Sequence, residues 1–459
     1  MLRLIILILL IPFAVHAARF SGEGFGADRE TARANALSDL ASQLSVKVRS
    51  EFSLTETSAG KTDGHRRVDA YSDLPVLGAE ISYFEMKGGL TASAVLNTEK
   101  SLPMYEKALN SLADDIRKNL KTVAGTKGEQ TVAALETAFA KADNYEKILP
   151  VARLLGSEYK KDEDISSAEI AKLLEAVQRT ASTFEDAAFL LTRDITQKSI
   201  YVFPPSAENS HEITPFAAAV QSVLSGRLAS GNSPDSADYH FSGEYTVQGK
   251  EIILTYRLVN RWDGTTLYAR TARLLPAAFA GLDYKPKTAD FDALLYSGLA
   301  VSKDFRVDVS TNKGSRNLLF KRAESVEILV KTTAPAYVYV IGHTVKKGDK
   351  LSYLLEFQNA QAPGRFIRFI NADDANKWVS LGEFSVTAPY GVESLQVIAS
   401  AKDPSDAVPL VKFDGSSGLY IVNRDPSKAV TSARALVNSG LKKQENAVSE
   451  AVLLFTTAE

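Results

Sequence analysis

Histidine, serine and carboxylate residues are the first places to look for chemistry. His211-Glu212 opens like His-Glu-x-x-His, which needs two imidazoles one helical turn apart and a carboxylate to activate zinc-bound water. Pro215 stands where the second histidine must be, so the zinc-peptidase reading fails. His65, His240 and His343 have no companion at ligand spacing and read as surface or strand histidines. Ser58-Ala59-Gly60-Lys61 satisfies Ser-x-x-Lys formally. It lies in a polar stretch and lacks the Ser-Asp-Asn and Lys-Thr-Gly companions of that chemistry. Gly415-Ser416-Ser417-Gly418 is one residue short of a nucleophile elbow and has no strand-to-helix context. Asp373-Asp374 with Glu383 lacks the alternation of a calcium loop and reads as a solvated acidic turn. Gly22, Gly24 and Gly26 recur every second residue, unlike a phosphate-cradling Gly-x-Gly-x-x-Gly, and no Walker lysine follows. Adjacent acids such as Glu163-Asp164 and Glu185-Asp186 do not by themselves span a cleft. The chain has no cysteine, which removes disulfides, thiolate catalysis and cysteine-metal sites. The expectation is a non-enzyme with no catalytic, cofactor or metal residues.

The N-terminus carries an address instead. Arg3 precedes an apolar run over residues 4–15, and Val15-His16-Ala17 suits a signal-peptidase cut between Ala17 and Ala18. His16 leaves with that segment. The run is about 12 residues, against roughly 20 for a bilayer span. No later stretch is apolar enough, so no transmembrane segment is expected in the mature chain. Net charge is −2, with 45% hydrophobic and 24% charged residues, which is ordinary for globular domains and gives no basic stripe for nucleic acid. Arg66-Arg67 and Lys346-Lys347 read as solvated faces.

Positioning elements follow from periodicity. Residues 18–100 read as an α+β unit. The glycines suit a strand that approaches a helix closely, and Asp28 suits the cap of that helix. Ala32, Ala36, Leu37, Leu40 and Leu44 form its slim apolar stripe. Residues 45–52 alternate, with Val46, Val48 and Phe52 on one side, and predict a half-buried strand; two more strands are expected over 76–86 and 90–96. Residues 101–195 read as a helical connector. Within it Ser166-Ser167-Ala168-Glu169 is a capping box before Ile170, Leu173, Leu174 and Val177. Residues 196–285 read as strand, helix and a three-stranded meander turning at Gln248-Gly249 and Asp263-Gly264, with Pro215 near the helix start. Residues 300–412 predict a β-sandwich, and 413–459 a tail with helical segments around 429–441 and an apolar stretch over 447–456.

Residues 20–52 resemble the LPP-twenty lipoprotein family of bacterial outer membranes, which includes flagellar accessory proteins. The resemblance rests on Gly22-Glu23-Gly24, Ala32, Ala36, Leu40-Ala41, Gln43-Leu44-Ser45-Val46, Val48 and Ser50. That family commonly carries a lipidated cysteine, and this chain has none. Val202-Phe203-Pro204 with Phe241-Ser242-Gly243-Glu244-Tyr245 and Trp262-Asp263-Gly264 is similar to envelope-assembly modules of flagellar ring proteins and cell-wall synthase regulators. Ala336-Tyr337-Val338-Tyr339-Val340 with Ala388-Pro389-Tyr390-Gly391-Val392-Glu393 resembles an uncharacterised bacterial β-domain. These resemblances together imply a modular, non-catalytic envelope protein; with the signal, the residue patterning and the missing cysteine, the expectation is a multidomain α+β protein of the periplasm, peripheral to the outer membrane or secreted, and not anchored through a cysteine. Its partners would be other envelope proteins, whether outer-membrane, flagellar or cell-wall components, met through sheet edges and loops. The competing readings are a periplasmic hydrolase of unfamiliar type and a small-molecule or glycan sensor.

Overall fold

The computed structural model describes residues 19–26, 28–56, 74–86, 89–125, 129–177, 180–208, 210–228, 233–300, 302, 305–346, 349–357, 365–388, 390–441 and 448–459. The proposed cleavage residues Ala17 and Ala18, and Ser58, Lys61 and His65, lie outside them. The architecture is multidomain α+β, with sandwich-like sheets.

Strand β1 (Arg19–Gly26), helix α1 (Arg29–Glu56), β2 (Glu80–Met86) and β3 (Gly89–Asn97) open the chain. The antiparallel sheet has order β1-β3-β2, and α1 covers one face. Strand β1 turns Gly22, Gly24 and Gly26 toward the helix, and β3 turns Ala92, Ala94 and Leu96 the same way. A Cβ on Gly24 would stand 2.1 Å from Ala36 N, and one on Gly22 would stand 2.3 Å from Leu40 N. Helix and strand therefore meet backbone to backbone, as the glycine spacing predicts. Asp28 caps α1, its Oδ1 accepting from Thr31 N at 2.8 Å. The strand expected over 45–52 is instead the continuation of α1. The spacing Ala36, Leu40, Leu44, Val48 carries one buried stripe past Ser45, and Val48 is fully buried on it. That stripe outweighs a short alternation whose polar members, Lys47, Arg49 and Glu51, are all compatible with a helix.

Helices α2 (Thr98–Gly125), α3 (Glu129–Leu154) and α4 (Ser167–Val177) follow. Tyr105, Leu109 and Ile116 of α2, and Leu135, Phe139 and Tyr145 of α3, pack into the same core as Ala36 and Leu40 of α1. Of the stretch expected as a connector, residues 101–174 are thus part of the first unit's core, while Ala181, Ala187 and Leu191 pack with the second sheet. Ser166 caps α4, accepting from Glu169 N at 3.4 Å. Ile170 and Leu174 are buried, whereas Leu173 and Val177 are exposed, so the buried stripe is narrower than the sequence suggests.

A second sheet contains β4 (Thr180–Ala181), β5 (Ile200–Val202), β6 (Ser206–Ala207), β7 (Tyr239–Gln248), β8 (Glu251–Asn260) and β9 (Thr266–Leu274), in the order β4-β9-β8-β7-β5. Helices α5 (Phe184–Thr192) and α6 (Pro215–Arg227) lie on one face. Pro215 sits in the first turn of α6, with Thr214 as its cap. The meander turns at Gly249 and Gly264, with φ of +61° and +71°. Residues 252–256 of β8 are buried without alternation because both faces are covered. Ile252, Leu254 and Tyr256 pack with α5 and α6, while the guanidinium of Arg257 lies 5.2 Å from the ring centre of Phe139 on α3.

After α7 (Ala289–Tyr296) the chain is mainly β: β10 (Val307–Thr311), β11 (Leu318–Lys321), β12 (Ser325–Thr332), β13 (Ala336–Lys346), β14 (Asp349–Leu354), β15 (Arg368–Ile370), β16 (Val379–Ser385), β17 (Gly391–Ser400), β18 (Lys412–Asp414), β19 (Leu419–Asn423), α8 (Pro426–Leu441) and β20 (Val448–Ala458). A three-stranded sheet, β10-β12-β16, packs on a larger one, β11-β20-β17-β13-β14-β19-β18, with β15 also on β13. Val309, Ile328 and Val330 meet Val338, Val397 and Phe455 between them. Residues 413–459 are not a helical tail. They supply β19 and β20 as well as α8, and β20 lies inside the larger sheet between β11 and β17. Its apolar residues are buried on both faces, so the strand shows no period of two to read.

Candidate functional site

The residues singled out from sequence are brought into packing networks. His211 and Glu212 lie in the loop before α6. Glu212 Oε2 accepts from Lys287 N at 2.6 Å, Thr288 N at 3.0 Å and Thr288 Oγ1 at 3.1 Å. Asp292 Oδ2 accepts from Ser210 Oγ at 2.7 Å and from His211 N at 3.1 Å, and the His211 ring stacks on Tyr296 at 4.7 Å. Serine, histidine and carboxylate are all present here. The serine hydroxyl, however, is given to the carboxylate rather than to the imidazole, so the serine–imidazole–carboxylate order of a nucleophile triad is not met. The cluster ties residues 210–212 to α7. Burial pushes the Asp292 carboxyl up from its ordinary value, against the hydrogen bond from Ser210.

His343 has a partner that its sequence neighbours do not reveal. Register pairs it with Ser352 across β13 and β14, and Nδ1 lies 2.7 Å from Ser352 Oγ. Burial drives this imidazole down to about 3, with Gln396 opposing the shift and Arg434 adding to it. Gln396 Nε2 donates to Glu450 Oε1 at 2.9 Å, and Arg434 Nη2 donates to the same oxygen at 2.8 Å. Arg434 also donates to the carbonyls of Leu294, Leu295 and Ser297 at 3.0, 2.6 and 2.6 Å, which closes the C-terminus of α7. Both His343 and Ser352 are fully buried, and the Phe291 ring of α7 lies 5.4 Å from the imidazole.

His240 Nε2 lies 3.0 Å from the Pro234 carbonyl oxygen, and its ring packs edge-on against Phe203. Ser416 and Ser417 donate to Asp414 at 2.9 Å each, with the Ser417 bond the larger influence holding that carboxyl low; this is a turn between β18 and β19. Among the described residues no group of three or more His, Asp or Glu side chains could hold a metal ion.

Charge is concentrated where units dock. Asp143 of α3 accepts from Arg257 Nε at 3.1 Å and from Thr266 Oγ1 at 2.7 Å, and lies 2.9 Å from Lys147 Nζ. Burial alone would raise this carboxyl; Lys147 and Arg257 outweigh it and hold it at about 2. Asn144 exchanges two 3.0 Å bonds with the backbone of Thr266. Lys331 of β12 pairs with Asp39 of α1. Sequence inspection missed these networks because their members are far apart along the chain.

No protein-family model matches the chain, and no curated protein matches it. Among solved structures it is similar to the secreted protein HP1454 of Helicobacter pylori, at 15% identity and a TM-score of 0.26, over 60% of this chain and 92% of that one. A TM-score that low carries no argument about function. Among the described residues no helix is long and apolar enough to cross a membrane.

Proposed function

We propose that this chain is an exported, non-catalytic interaction protein of the bacterial envelope, a scaffold whose units are held together by buried ion pairs. The export reading rests on the residues preceding Ala18. The scaffold reading rests on one observation above the others: buried charge joins units distant in sequence, as in Asp39 with Lys331 and Asp143 with Arg257. Such groups define geometry rather than meet a substrate. The face of the first sheet opposite α1 supports a contact role. Phe25 and Phe84 flank Thr91 in register there and are 54% and 57% exposed. Exposed aromatic residues in register suit a protein partner. The partners we assign are outer-membrane, flagellar or cell-wall proteins.

Crosslinking in living cells, followed by envelope fractionation and mass spectrometry, tests this reading. Capture of such components, reduced by Phe25→Ser with Phe84→Ser, is the expected result. A protein that fractionates with the cytoplasm, or an envelope protein that captures none of these components, would overturn it.

A further inference from the structure

A second feature is independent of the docking networks. One face of α1 carries Glu30, Arg33 and Leu37 along the wall of a cavity of about 360 Å³. Ile81, at the start of β2, and Trp262 and Asp263, from the β8–β9 turn, line it as well. Clefts of this size between structural units are common ligand sites. Trp262 is fixed rather than loose: its indole N–H donates to Asp238 Oδ1 at 3.3 Å, and its backbone N–H donates to Asn260 Oδ1 at 2.9 Å. Glu30 and Arg33 are exposed.

The mixture of groups selects a ligand class. Two carboxylates disfavour an anion, and the guanidinium of Arg33 on the same lining disfavours a cation. A neutral, hydroxyl-rich molecule can donate to the carboxylates and accept from the guanidinium at once. Leu37, Ile81 and the indole supply an apolar wall for the carbon framework of a ring. We infer that this cavity binds a neutral saccharide.

The chain has two tryptophans, so Trp378→Phe leaves Trp262 as the only indole and makes its emission a local reporter. Cellobiose, maltose and di-N-acetylchitobiose are titrated in turn into that full-length variant. At least one should give a saturable change, and adding Arg33→Ala or Glu30→Ala should weaken it about tenfold, the loss expected from one charged hydrogen bond. Both positions are exposed, and circular dichroism checks that the fold is kept. No response to any of the three sugars, or a response that both substitutions leave intact, overturns the assignment. Either failure leaves the scaffold reading untouched, because that rests on crosslinked partners and not on this cavity.

Discussion

Lys331 donates to Asp39 across 292 positions of sequence, and both side chains are nearly excluded from water. The other Asp39 oxygen accepts from Glu23 N at 3.1 Å and from Gln43 Nε2 at 3.0 Å, while the Trp378 ring lies 5.2 Å from the ammonium. Removing the lysine would therefore leave a buried carboxylate. Lys331→Met alone should lower stability by about 3–5 kcal/mol, and Lys331→Met with Asp39→Asn should recover most of that. Urea unfolding of the two single variants and the double variant measures the coupling. A double variant no better than Lys331→Met would show that the pair does not act as a unit.

Gly24 and Gly249 are glycines for different reasons. A Cβ at Gly24 collides with the backbone of α1, whereas Gly249 has open space around it but a positive φ. Gly24→Ala must push helix and strand apart and should cost about 3 kcal/mol or more, while Gly249→Ala should cost about 1 kcal/mol. Thermal unfolding ranks the two; equal losses would refute the close-approach argument.

Acid should weaken the fold in two stages. The ordinary pKa of histidine is 6.5, and His343 in the fold sits at about 3. As pH falls, the unfolded chain takes this proton first. Stability from this site is full above about 6.5 and is lost progressively toward 3, with a limiting slope of about 1.4 kcal/mol per pH unit. Asp143, lowered from 3.8 to about 2, adds stability that is present above 3.8 and lost as pH falls through 2. His343→Gln should flatten the dependence between pH 6 and 4 and leave the later loss in place. Urea midpoints measured across that range decide it, and an unchanged slope would exclude His343 as the source.

Asp292 has the opposite sign. Its carboxyl is raised, so ionisation opposes folding, and stability from this site is greatest below 3.8 and falls as pH rises. Oδ2 accepts the bonds from Ser210 and His211, and an asparagine oxygen can occupy that position. Asp292→Asn should leave stability at neutral pH unchanged or slightly higher. Asp292→Ala should lose about 1–3 kcal/mol by stranding those donors. Faster protease cleavage within residues 210–214 in the alanine variant alone would confirm the anchoring role, and equal cleavage in both would refute it.

Local chemistry was legible in the residues. The glycine spacing, the Asp28 cap, the meander turns at Gly249 and Gly264 and the place of Pro215 are all short-range demands of backbone geometry. Competition between elements was not legible. Residues 45–52 alternate convincingly until the stripe through Val48 is followed from Ala32. Strand β20 hides its period because both faces are buried. The docking networks lay further out of reach: Asn144 meets Thr266 across 122 positions, and His343 meets Ser352 only once the register of β13 and β14 is set. No spacing rule along one chain specifies such encounters.

The placement of β20 also sets a timetable. Strands β11 and β17 are made well before residues 448–458, yet that segment supplies one of the two neighbours of β17 and, among the described residues, the strand that β11 pairs with. Until those residues emerge from the ribosome, β11 is apart from the larger sheet and one border of β17 is unpaired. A message cut short upstream of residue 448 would yield a product with an adhesive edge rather than a slightly smaller protein.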